Sequence, residues 1–104
     1  MQIDDPVLTL FRAALDEAYG ARIDRVVLFG SRARGDARPD SDYDVAVFLK
    51  AFDSFSKEAG ALAEIETEIL FDTGFVVNAF PFRAASYRDR SGLMQEVRRD
   101  GVDL

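Results

Sequence analysis

Two short runs in this 104-residue chain carry residue types that could do chemistry together: Gly30-Ser31 and Asp42-Tyr43-Asp44, both within the stretch GSRARGDARPDSDYD. Two aspartates two residues apart on a strand point to one face, with Cβ atoms about 6–7 Å apart at a rise of about 3.3 Å per residue. That spacing suits two carboxylates converging on one hard cation, or flanking a pair of them. A Gly-Ser that leaves a strand and opens a helical turn offers free backbone amides and a hydroxyl to a phosphate. Together the runs predict a Mg²⁺ clamp facing a phosphate cradle. A bare D-x-D at a strand entrance is also what a solvated turn looks like, so the pairing with Gly-Ser carries the argument.

Better-known phosphate and metal motifs fail on the same residues. GSRARG fills the first six positions of a P-loop, but Asp36 and Ala37 stand where Lys and Ser or Thr are required. DSDYDV begins like a calcium loop, yet Val45 takes the obligatory Gly place and Ala51 that of the bidentate Glu. No G-x-G-x-x-G dinucleotide pattern occurs.

Composition narrows the chemistry further. There is no Cys and no His, which excludes disulfides, thiolate zinc sites and every mechanism built on an imidazole base. Carboxylates, hydroxyls, amines or a bound metal remain. The net charge of −6 argues against tight non-specific nucleic-acid binding, which depends on neutralising phosphates. The charge is uneven: Arg22 to Arg38 holds five Arg against Asp24 and Asp36, whereas Asp53 to Asp72 holds six carboxylates against Lys57. No apolar run reaches the length of a membrane span, and MQIDDPVLTLF is acidic where a signal peptide would be basic, so the expected location is the cytoplasm.

The length fits one domain, residues 1–104, with a single modest core. A first helix is predicted from an Asp5 cap and Pro6 to Gly20, with Val7, Leu10, Phe11, Ala14, Leu15 and Ala18 forming its apolar stripe. A buried strand follows over 25–29. Period two from Asp42 to Leu49 places Asp42, Asp44, Ala46 and Phe48 on one face and Tyr43, Val45, Val47 and Leu49 on the other. A second helix over 54–71 turns Ala59, Leu62, Ile65 and Ile69 inward and Glu58, Glu64 and Glu68 outward. FVVNAFPF is a third strand, confined to an edge or stopped by Pro81. A last helix runs from a Ser91 cap to Gly101. The order predicts an α+β, α/β-layered fold, a small mixed β-sheet with helices packed on it; the connection of about twelve residues between the first two strands allows an antiparallel pair with an excursion or a crossover, and the antiparallel pair is preferred. Phe52, Phe55, Phe80 and Phe82 are mainly core, with some left for an interface in a homo- or hetero-oligomer.

Gly30-Ser31, ten residues, then Asp42-x-Asp44, with Arg34-Gly35 and Ser41-Asp42 between, closely resembles the G-S-x10-D-x-D signature of the DNA polymerase β-like nucleotidyltransferase superfamily. The wording GSRARGDARPDSDYDVAVFL looks like its minimal members, antitoxin-like partners of HEPN-type proteins. The resemblance implies a nucleotidyltransferase-like domain in which Gly30 and Ser31 contact nucleotide phosphates and Asp42 and Asp44 hold one or two Mg²⁺. It also implies transfer of a nucleoside monophosphate, AMP from ATP or its counterpart from another NTP, to a hydroxyl of a HEPN-type partner. Arg32 and Arg34 are candidates for added positive charge near the β- and γ-phosphates.

The family's full site carries a third carboxylate on the neighbouring strand. FVVNAFPF supplies none in either phase; Asn78 is its one polar candidate, a weak metal ligand at best and no base. Asp72 reaches inward only if that strand begins early. The alternative reading is therefore a catalytically degenerate nucleotidyltransferase fold that binds and neutralises a partner.

Overall fold

The first helix, α1 (Pro6–Tyr19), begins where Asp5 turns its side chain onto the amides of Val7 and Leu8 and Pro6 supplies a first-turn residue with no N–H to satisfy. Its buried face is Val7, Leu8, Phe11, Leu15 and Tyr19. This differs from the expected stripe: Leu10 and Ala18 face outward, because the large side chains at 8, 11, 15 and 19 fix the phase. A computed structural model describes residues 4–104; the first three residues of the acidic N-terminal stretch lie outside them.

The chain continues as β1 (Ile23–Phe29), the short α2 (Ser31–Arg34), β2 (Tyr43–Leu49), α3 (Phe55–Thr73), β3 (Val77–Arg83), α4 (Gly92–Asp100) and β4 (Val102–Asp103). The sheet order is β3-β2-β1-β4. As expected, β1 and β2 are antiparallel, with Phe29 opposite Asp44. Helix α3 crosses over so that β3 lies parallel to β2, Asp44 beside Asn78. The two-residue β4 and the 3-10 turns at Gly20–Arg22 and Ala84–Arg88 are too short to carry an apolar period that would mark them in sequence. The protein is thus a mixed α/β fold with a four-stranded mixed sheet.

The alternation along β2 separates two cores. Tyr43, Val45, Val47 and Leu49 pack with α1 and α3 residues on one face, and Ala46 and Phe48 pack with Met94 and Val97 of α4 on the other. Each fully buried Leu or Phe contributes about 1.5–3 kcal/mol relative to an exposed one. Among the four phenylalanines singled out above, Phe55 and Phe80 are exposed, while Phe52 and Phe82 pack against the two cores.

Glu58, expected outward on α3, is buried instead. A lone buried carboxylate would be costly, but its Oε2 accepts from the Arg22 guanidinium and, at 3.1 Å, from the Asp53 amide. Glu64 and Glu68 are exposed as predicted. Strand β3 is an edge, as expected, and runs through Pro81 without stopping. The Ala79 amide, which shares Pro81's orientation, points away from β2 and donates to Glu66 Oε2 at 2.8 Å. The missing N–H of Pro81 therefore breaks no ladder bond.

Candidate active site

Antiparallel pairing of β1 with β2 and parallel pairing of β2 with β3 bring the end of β1, the start of β2 and the start of β3 to the same end of the sheet. Gly30 leaves β1 with φ +73° and ψ −158°, a conformation open essentially to glycine alone. A Cβ there would stand 2.6 Å from Asp44 Oδ2. The carboxylate thus lies directly on the glycine that opens α2, and no side chain caps that helix. Ser31 begins it, half-buried.

Asp42 precedes β2 and Asp44 lies on the sheet face shared by Ala46 and Phe48. The two carboxylates converge: the Asn78 amide nitrogen donates to Asp42 Oδ2 at 3.3 Å and to Asp44 Oδ1 at 3.2 Å. Among the described residues no cationic side chain pairs with either aspartate. Their mutual repulsion is relieved by one neutral amide, and a hard cation at that point would relieve it far more. Two oxygens reaching one atom, with an amide whose carbonyl end can turn to the same place, fit a Mg²⁺ site of two carboxylates and one neutral ligand. The described residues hold no cluster of three acidic or other metal-ligating side chains, and Asp72 is exposed on the last turn of α3. On β3 the residue paired with Asp44 is Asn78, an amide.

The arginines divide. Arg34 donates to Asp36 at 3.3 Å and to Glu96 of α4 at 3.2 Å, which keeps it on the Asp44 side of the sheet. Arg32 turns the other way. Its guanidinium carbon lies 3.9 Å from the Tyr43 ring centroid, and Tyr43 belongs to the opposite core. The Tyr43 hydroxyl donates to Asp5 Oδ2 at 2.8 Å. Burial first, then that hydrogen bond and the Asp5 charge, push the phenol's pKa up to about 12. In sequence Asp5 reads only as a helix cap, and the one signal for Tyr43 is its apolar phase between two aspartates.

Residues 8–96 match the nucleotidyltransferase domain family, and the chain belongs to that family. It is similar to two proteins of Methanocaldococcus jannaschii. One, "Putative protein adenylyltransferase MJ0141", is 24% identical over 98 residues, 94% of this chain and 95% of that protein. The other, "Putative protein adenylyltransferase MJ0604", is 30% identical over 76 residues, 73% of this chain and 70% of that protein. Among solved structures, a "putative minimal nucleotidyltransferase" superposes with a TM-score of 0.62 at 24% identity, covering 99% of this chain and all of that one. The crystal structure of a toxin-antitoxin with AMP-PNP superposes with a TM-score of 0.65 at 20% identity, covering 91% of this chain and 69% of that one. These structural likenesses establish the fold.

Proposed function

We propose that this chain transfers AMP from ATP, with Mg²⁺, to a hydroxyl of a partner protein of the HEPN type, and so acts as the antitoxin-like half of a cytoplasmic pair. The observation that carries the reading is the convergence of Asp42 and Asp44 on one point beside Gly30. The similarity to relatives called protein adenylyltransferases supports the nucleotide and the protein acceptor. The likeness to toxin-antitoxin structures, one with AMP-PNP, supports the pairing.

In this reading Gly30 and Ser31 hold the phosphates through backbone amides and the hydroxyl, and Arg34 adds positive charge from the same side. Asp42 and Asp44 would hold Mg²⁺, with Asn78 as a third, neutral ligand, and when bound the ion would supply charge neutralisation of the phosphates. The acceptor oxygen bonds to the α-phosphorus, the bond to the bridging oxygen breaks, and pyrophosphate leaves. Because Asn78 has no basic oxygen, the hydroxyl proton passes to solvent at the exposed Asp42.

Asn78 also favours the second reading, a fold that binds and neutralises the partner without chemistry. The two part in one assay. With Mg²⁺, α-labelled ATP and the product of the neighbouring gene as acceptor, the chain is expected to label that protein, and Asp42→Asn with Asp44→Asn is expected to abolish labelling. Transfer that survives both changes contradicts the mechanism. No transfer by the parent chain, with partner binding indifferent to both changes, establishes the second reading.

A further inference from the structure

Arg32 belongs to the element that would cradle phosphate, yet its donors are turned toward the chain that leads into the clamp. Its Nε donates to the Ser41 carbonyl at 2.9 Å and its Nη2 to the Pro39 carbonyl at 3.1 Å. The guanidinium plane rests on Tyr43 at 3.9 Å and reaches Phe75, just ahead of β3, at 5.7 Å. Tyr43 is itself fixed: it is buried, its amide donates to the Val76 carbonyl at 3.0 Å, its hydroxyl is held by Asp5, and its ring meets Phe75 edge-on at 6.0 Å. The rest of the 36–42 connection is held at its start by the Asp36 amide on the Ser31 carbonyl at 3.1 Å and Arg34 on Asp36 at 3.3 Å, in the middle by a local turn in which the Arg38 amide donates to Ser41 Oγ at 2.9 Å and the Ser41 amide to the Arg38 carbonyl at 3.0 Å, and at its end by the Asn78 amide on the Asp42 carboxylate at 3.3 Å. Asp42 lies outside β2, so no strand pairing fixes it.

We propose that Arg32 is a positioning residue: a strut that locks the 39–41 backbone, and with it Asp42, against α2 and the anchored ring of Tyr43, so that both carboxylates stand in register with Gly30-Ser31. This rests on the nucleotide-site reading above and replaces the phosphate-contact role first expected for Arg32. The task needs arginine, because two fixed donors and a flat stacking face do three things at once. Lysine keeps the charge but has neither the fork nor the plane.

The test uses the full chain and its Arg32→Lys and Arg32→Ala variants, with Mn²⁺ as the probe, read by electron paramagnetic resonance at a temperature where all three are folded by circular dichroism. Amide exchange over residues 36–42 is followed alongside. The strut predicts that both variants bind Mn²⁺ about tenfold more weakly and exchange those amides about tenfold faster, while β1 and β2 core amides keep their rates. A phosphate-contact role predicts that Arg32→Lys matches the parent in both measurements, and that result overturns the proposal. Variants that merely melt earlier, with parent-like Mn²⁺ affinity and 36–42 exchange, overturn it as well. A parent chain that transfers no AMP but shows the two expected changes in its variants counts against the transfer reading and leaves the strut standing.

Discussion

At Gly30 two demands meet in one residue: a φ of +73° and a carboxylate oxygen 2.6 Å from where a Cβ would be. Either alone disfavours any other amino acid, and the second links the glycine to the clamp itself. Gly30→Ala is expected to cost about 1–3 kcal/mol of stability in urea denaturation, through backbone strain and displacement of Asp44. Parent-like stability would show that the backbone can shift without cost. At this scale the sequence was informative about identity and poor about direction. The spacing of Gly30-Ser31 and Asp42-x-Asp44 identified the residues that meet, and the absence of acid from FVVNAFPF identified Asn78. It did not reveal that Arg32 turns to the far face of the sheet. The charge of an arginine is visible in sequence, but the choice between a ligand and a pair of nearby carbonyls depends on where the loop folds back.

Among the elements, β3 shows how an edge is protected. Its outward positions include Ala79, whose amide is taken by Glu66 of α3, and Pro81, which has none. Two of the donors that a stray strand would pair with are thereby removed. Glu66→Ala combined with Pro81→Thr restores both, and the double variant is expected to self-associate more strongly than the parent in sedimentation velocity, with the excess rising with concentration. Equal association in both proteins would mean that other features guard the edge. The starts of α1 and α4 were legible because caps are local chemistry: Asp5 and Ser91 each bond to amides of the first turn, as Ser54 also does at α3. Burial of Glu58 was not, since its partner Arg22 is 36 residues away. The same holds for β4, whose two residues are too few to show a period and exist as a strand only through pairing with Val27 and Leu28.

Across the whole molecule, helix α3 makes β3 parallel to β2 while the β1–β2 pair stays antiparallel, and this mixed topology gathers Gly30, Asp42, Asp44 and Asn78 at one end of the sheet. Element order predicted a small mixed sheet with helices on it, but not which strand would be the parallel neighbour, because that is decided by how a 19-residue helix packs back. Under the proposed function these four residues form a Mg²⁺-dependent nucleotide site on an acidic protein. The most direct measurement is calorimetric titration of a non-hydrolysable ATP analogue into the parent and the Asp42→Asn/Asp44→Asn double variant, each with Mg²⁺ and with a chelator. Binding by the parent is expected to require Mg²⁺ and to fall at least tenfold in the double variant, a loss of about 1.4 kcal/mol or more. Binding that is indifferent to Mg²⁺ and to both substitutions would contradict that function.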